Sequence, residues 1–199
     1  MKTNLRKIVL VFLAISSFTV SLVNAQESEV LNKTTISVET DPSTFMFGGY
    51  ALHLRIKPAN SQHLVVGLGA YSMDMPDFLI GKENSDNGWN VRINSALGLF
   101  GEYYFSEANS KWFAGLQLGV QNYKNTNDNL TGLETKYANL LVMPSIGYTW
   151  KPFKFPLYIK PWLGVGYITT VSGSKTLGSY NYVVAPIVPF PTVHIGYTF

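Results

Sequence analysis

The sequence predicts an all-β protein: eight antiparallel strands closed up-and-down into a transmembrane β-barrel. Three observations predict it. Apolar residues alternate with polar residues or glycine over long stretches, the period-two signature of strands with one apolar face. Beyond the N-terminal segment no apolar run approaches the ~20 residues a spanning helix needs. The connections between the alternating stretches are short and long in turn, as in a barrel with tight turns at one end and extended loops at the other.

The N-terminal segment reads as an address. Lys2, Arg6 and Lys7 precede an apolar stretch from Ile8 to about Val23, and Val23-Asn24-Ala25 offers small residues for a signal peptidase. Residues 1–25 are therefore expected to be a cleaved signal peptide, and 26–199 the barrel. The formal charge of +3 comes entirely from Lys2, Arg6 and Lys7; the remainder carries equal numbers of basic and acidic residues. A basic-surface argument for nucleic acid therefore fails. The chain has no cysteine, which removes disulfides, thiol chemistry and a lipoprotein anchor.

The strands are expected at about 33–40, 45–57, 63–74, 88–105, 111–124, 134–151, 156–170 and 181–199. The first rests on Ile36 and Val38 and on the Asp41-Pro42-Ser43-Thr44 segment that follows, which reads as a type I turn. In the second, Leu52, Leu54 and Ile56 oppose His53, Arg55 and Lys57. The third runs from the tight KPANSQ connection to the polar segment 75–87. In the fourth, Trp89, Val91, Ile93, Leu97, Leu99, Tyr103 and Phe105 are expected on one face, with Asn90, Arg92, Asn94, Gly98 and Glu102 on the other. The fifth sets Trp112, Ala114, Leu116, Leu118 and Val120 against Gln117 and Gln121. The sixth sets Ala138, Leu140, Val142, Ile146, Tyr148 and Trp150 against Asn139, Ser145 and Thr149. The seventh sets Leu157, Ile159, Leu163, Val165 and Tyr167 against Lys160 and glycines. In the last, every odd position from Val183 to Phe199 is apolar, and Pro186, Pro189 and Pro191 predict poor pairing of its first half.

An even strand count places both termini, and all three tight connections (KPANSQ, SEANSK and KPFKFP), on the periplasmic side. Several strands of ~15–18 residues exceed the 3–10 usual in soluble proteins. Tyr103, Phe105, Trp112, Trp150, Tyr197 and Phe199 are expected to form the periplasmic aromatic girdle, with Trp89, Tyr167 and Tyr50 nearer the outer interface. The rival fold is a soluble lipocalin-type barrel, which would show the same alternation with the apolar face inside.

In these features the chain resembles the small eight-stranded outer-membrane proteins, in the manner of OmpX, OmpW and the barrel of OmpA. The specific motif is VHIGYTF, which looks like the signal read by the barrel-assembly machinery: Val193, Ile195, Tyr197 and Phe199 alternate up to a C-terminal aromatic. VETDPSTF, PLYIKPWLGVGY and IGYTF also resemble an uncharacterised outer-membrane barrel family of Gram-negative envelopes. The resemblance implies periplasmic transit with chaperones, insertion by the assembly machinery, outer-membrane lipid as surroundings and no nucleic-acid partner. A monomer is expected, with the oligomeric state open.

An eight-stranded barrel has an interior just wide enough to be filled by side chains. The expected lumen network is His53, Arg55, Arg92, Glu102, Lys160 and His194, an ion-pair plug rather than a pore. Acyl transfer needs a nucleophile within reach of a base, and no Ser-His-carboxylate group converges, so no enzyme and no catalytic residue is expected. Two lumen histidines do not make a metal site, and no metal or cofactor is expected. Phe78, Leu79 and Ile80 lie in the 75–87 loop, an apolar cluster where water is expected, and mark the candidate surface site. Two readings stand: a non-enzymatic structural or surface-interaction barrel, and a narrow channel or carrier for a small apolar solute.

Overall fold

The computed structural model describes residues 33–199; the signal peptide expected over 1–25 lies outside the described residues. Eight strands close the barrel: β1 (Thr35–Thr40), β2 (Tyr50–Lys57), β3 (Leu64–Asp74), β4 (Trp89–Tyr104), β5 (Lys111–Asn127), β6 (Thr135–Thr149), β7 (Leu157–Gly173) and β10 (Ile187–Thr198). Each pairs antiparallel with the next, and β10 closes the ring on β1. Two minimal strands, β8 (Thr176–Leu177) and β9 (Tyr180–Asn181), form a ribbon above the rim. Three short helices, α1 (Pro42–Met46), α2 (Asp77–Ile80) and α3 (Lys82–Asp86), lie in the connections at the long-loop end. Residues 58–63, 105–110 and 150–156 make the tight turns at the other end.

The outer face decides between a membrane and a soluble barrel. Leu52, Leu68, Leu97 and Leu99 are 54–67% exposed, and a continuous apolar band joins them to Leu118, Val142, Leu163 and Val165. Monomeric soluble proteins rarely expose so large an apolar patch. The inner face instead buries Glu39, Arg55, Glu102, Lys160, Gln117, Gln121 and Asn139. Apolar-out and polar-in is the transmembrane pattern and rules out the lipocalin arrangement. Exposed Tyr103, Phe105, Trp112, Trp150, Tyr197 and Phe199 ring the short-turn end, with Tyr197 and Phe199 packed edge-to-face.

Inward glycines give the large lumen side chains their room. A Cβ on Gly69 would collide with the His53 ring, one on Gly67 with the Arg55 side chain, and one on Gly196 with the Tyr158 ring. Each glycine faces its large neighbour directly across a strand pair, at Gly69↔His53, Gly67↔Arg55 and Gly196↔Tyr158.

Four sequence expectations change. The Asp41–Thr44 segment is not a type I turn but the start of α1: Asp41 is extended, and its carboxylate accepts from the Ser43 amide at 2.8 Å. Pro42 at the first helical position suits that N-cap. The second strand therefore starts at Tyr50 rather than 45. Second, the last strand starts at Ile187 rather than 181. The third change is in β4, where the ladders to both neighbours shift register, between Tyr71 and Met73 on β3 and between Ile93 and Ser95 on β4. A bulge inserts one residue and exchanges the faces beyond it. Trp89, Val91 and Ile93 consequently point inward and are at most 4% exposed, while Leu97, Leu99 and Tyr103 point outward. Trp89 is thus a lumen residue packed on Tyr182, not part of an outer girdle. Fourth, the same exchange turns Arg92 out of the lumen. Its guanidinium donates to Asp74 Oδ1 at 2.6 Å on the outer surface.

Candidate functional site

The lumen is layered, and the layer nearest the short-turn end is ionic. Glu39 on β1 sits at its centre with a fully buried side chain. Its Oε2 accepts from Arg55 Nε at 3.1 Å and is 2.9 Å from His194 Nδ1; its Oε1 accepts from Tyr158 Oη and Lys160 Nζ, both at 2.7 Å. Lys160 also donates to both oxygens of Glu102 at 2.9 Å, and Arg55 Nη2 lies 3.5 Å from Glu102 Oε1. Tyr104 closes the set, donating to Glu102 at 3.1 Å and meeting Thr149 Oγ1. Arg55 lies 3.9 Å over the Phe100 ring, and His53 stacks on His194. Val65, Tyr104 and Phe113 form a buried cluster with the half-buried Trp162 packed against it.

Of the six residues expected in the lumen network, five converge here: His53, Arg55, Glu102, Lys160 and His194 are all at most 5% exposed. Arg92 does not join them. Sequence reasoning misses Glu39, although it is the acceptor that Arg55, Lys160 and His194 share. Ile36 and Val38 outward imply Ser37 and Glu39 inward, so the signal is present in the shortest of the barrel strands. A buried carboxylate needs compensation, and here Arg55 and Lys160 balance Glu39 and Glu102.

Above the ions the lumen turns aromatic and apolar. Gln121 donates to Tyr71 Oη at 2.8 Å and accepts from Tyr123, whose ring stacks on Tyr137. A cavity of ≈ 60 Å³ lies here, floored by His53, His194 and Trp162 and walled by Ile93, Leu141, Met143 and Phe190. Its roof is the α2–α3 connection. Ile80 is buried and lines the space, Leu79 is half-buried beside it, and Phe78 alone points out, 73% exposed. The three residues expected as one surface cluster therefore divide: Ile80 folds back over the mouth because the helix bend at Gly81 (φ 84°) turns it inward.

The roof is tied down by a residue that sequence reasoning passes over. Asn84 Nδ2 donates to the carbonyls of Ile80 and Val183 at 2.7 and 2.8 Å, and its Oδ1 accepts from the Val183 amide. Elsewhere on the long-loop rim, the exposed Glu134 carboxylate lies between the ammonium groups of Lys124 and Lys136, whose hydrogen bonds bring it down to about 2. Val193, Ile195, Tyr197 and Phe199 all face outward on β10, toward lipid rather than toward the lumen.

The architecture defines a class: an eight-stranded transmembrane barrel. No protein-family model matches the sequence, and no curated protein matches it either. Solved structures do. The chain is similar to a major outer membrane protein from Thermus thermophilus, with a TM-score of 0.53 and 17% identity over 84% of this chain and all of that one. It also aligns with the N-terminal β-barrel domain of Pseudomonas aeruginosa OprF (TM-score 0.44, 13% identity, 84% and 98% covered) and with Neisserial surface protein A (0.43, 11%, 83% and 94%). At 17% identity the likeness to the Thermus protein is one of fold, and that fold is an outer-membrane barrel.

Proposed function

We propose that this chain is a non-enzymatic integral barrel of the outer membrane that acts in envelope structure or surface interaction through its long loops, with its lumen sealed against solute flow. The single observation carrying this reading is the buried layer built on Glu39, Arg55, Glu102 and Lys160, whose ions compensate one another inside the barrel. Side chains held this way do not part for a hydrated solute without leaving a buried charge unpaired. The non-enzymatic reading draws on the histidines: among the described residues, no serine or threonine hydroxyl hydrogen-bonds to His53, His63 or His194. Cleavage after Ala25, passage with periplasmic chaperones and insertion by the assembly machinery through Val193, Ile195, Tyr197 and Phe199 belong to the same proposal. The test is single-channel recording of the refolded barrel in a planar bilayer. The reading expects folded, heat-modifiable protein with no current steps; reproducible steps from folded protein would overturn it.

A further inference from the structure

Three features of the wall coincide beside the ≈ 60 Å³ cavity. The first is a seam. β1 stops at Thr40, paired with Ile195, so among the described residues no strand lies beside the edge of β10 from Val193 back to Ile187. In an antiparallel ladder a residue's N–H and C=O point to the same neighbour. Phe199 N donates to Ile36 on the β1 side and Thr198 N to Pro156 on the β7 side, so odd positions of β10 face the seam. Pro189 and Pro191 are odd. The donors they lack are those an adjoining strand would have used, and prolines are confined to such open edges.

The second feature is what fills the seam. α1 packs against β2, β3 and β10. Its inner side, Asp41 and Thr44, is buried and lines the cavity, with Asp41 Oδ2 accepting from Thr192 Oγ1 at 2.6 Å. Its outer side, Phe45 and Met46, is 56% and 82% exposed. One helical turn is therefore all that separates the cavity from the lipid face at this height. The third feature is an unused acceptor. Asn139, 1% exposed in the cavity wall, has an Oδ1 with no hydrogen-bond partner. A buried polar atom left so is costly, and a guest that donates to it removes the cost.

We propose that the cavity is a binding site for a small, mainly apolar molecule carrying one hydroxyl or similar donor, admitted from the lipid side through the β10–β2 seam by displacement of α1. One water needs roughly 15 Å³, so the space takes a guest of about four to five heavy atoms, a short chain rather than a ring. The hydroxyl meets Asn139 Oδ1 and the remainder meets Ile93, Leu141, Met143 and Phe190. This goes beyond the sealed-barrel reading, since a guest held above the ionic layer passes no current; recording and binding fail independently.

The probes are 3-fluoropropan-1-ol and its hydroxyl-free analogue 1-fluorobutane, followed by ¹⁹F NMR on the barrel in lipid vesicles. Saturable binding of 3-fluoropropan-1-ol above that of empty vesicles is expected. Asn139→Leu weakens it about tenfold, the worth of one hydrogen bond to a buried acceptor, and leaves 1-fluorobutane unchanged. Ala51→Leu, or Ala51→Val where the larger side chain impairs folding, fills the space and abolishes both signals. No saturable signal in the wild type, or full binding in a folded Ala51 variant, overturns the site. For the route, the cysteine-free background permits Asp41→Cys with Thr192→Cys, bridged directly or by a short bis-thiosulfonate. Bridging should slow guest exchange at least tenfold relative to the same protein reduced. Equal exchange rates in the two forms overturn admission through the seam.

Discussion

Glu39→Gln removes one charge from the ionic layer and changes almost nothing in shape. In the native barrel two carboxylates balance Arg55 and Lys160, and Glu39 contacts both cations, together with His194 and Tyr158, at 2.7–3.1 Å. The amide leaves two cations sharing Glu102, which lies 2.9 Å from Lys160 but 3.5 Å from Arg55. Its NH₂ also places donors where donors already point. Removing one partner of a buried ion pair costs about 3–5 kcal/mol. With a urea slope of roughly 2 kcal/mol per molar, the unfolding midpoint of the vesicle-inserted barrel should fall by about 2 M, read by tryptophan fluorescence and by loss of heat-modifiable mobility. Adding Lys160→Met restores neutrality around Glu102 and Arg55, so Glu39→Gln with Lys160→Met should recover at least half of the loss. A midpoint unchanged in Glu39→Gln, or a double variant that falls by the sum of the singles, would refute the view that charge compensation holds this layer together.

Three further outcomes are expected. Glu102→Gln should also destabilise the barrel, by about 3 kcal/mol for the loss of a charged partner to Lys160, and should still show no current steps, because Glu39, Tyr158 and His194 keep the cross-section filled. Asn84→Ala should leave global unfolding nearly unchanged but loosen the roof by about 1–3 kcal/mol, the worth of its three backbone hydrogen bonds, seen as faster hydrogen exchange at the Val183 amide. Glu134, held down to about 2 by hydrogen bonds from Lys124 and Lys136, contributes stability that is present above the ordinary carboxylate range and is lost only as pH falls through about 2. A ¹³C carboxyl titration should therefore find it ionised at pH 4, and a midpoint above 4 would contradict the arrangement of the three side chains.

The unequal legibility of the site follows from where each signal resides. Lys160 and His194 are readable because their strands keep unbroken alternation, and they meet as direct partners across β7 and β10. Arg55 and Glu102 are readable by the same alternation. Arg92 falls on the wrong face in a sequence reading because the bulge beside Asn94 is invisible in a one-dimensional pattern: the apolar spacing from Trp89 to Ile93 is the same whether that face looks at lipid or at an aromatic lumen. Glu39 escapes because six residues offer too few alternations to register a strand. Phe78, Leu79 and Ile80 look alike as a triplet, and only the turn at Gly81 and the Asn84 clamp separate the one that faces water from the one that closes the mouth.

Strand count, closed antiparallel order, the apolar outer surface and the outward direction of Val193, Ile195, Tyr197 and Phe199 were all legible in the chain alone. They depend on period-two alternation and loop length, both local properties. Three other features came only from the folded barrel: Glu39 joins the cations, α1 rather than a strand completes the wall beside Pro189 and Pro191, and Arg92 faces out. Each of these depends on how strands pair and where they end, and a single bulged residue, or a strand that stops early, changes which side chains meet without altering the local pattern.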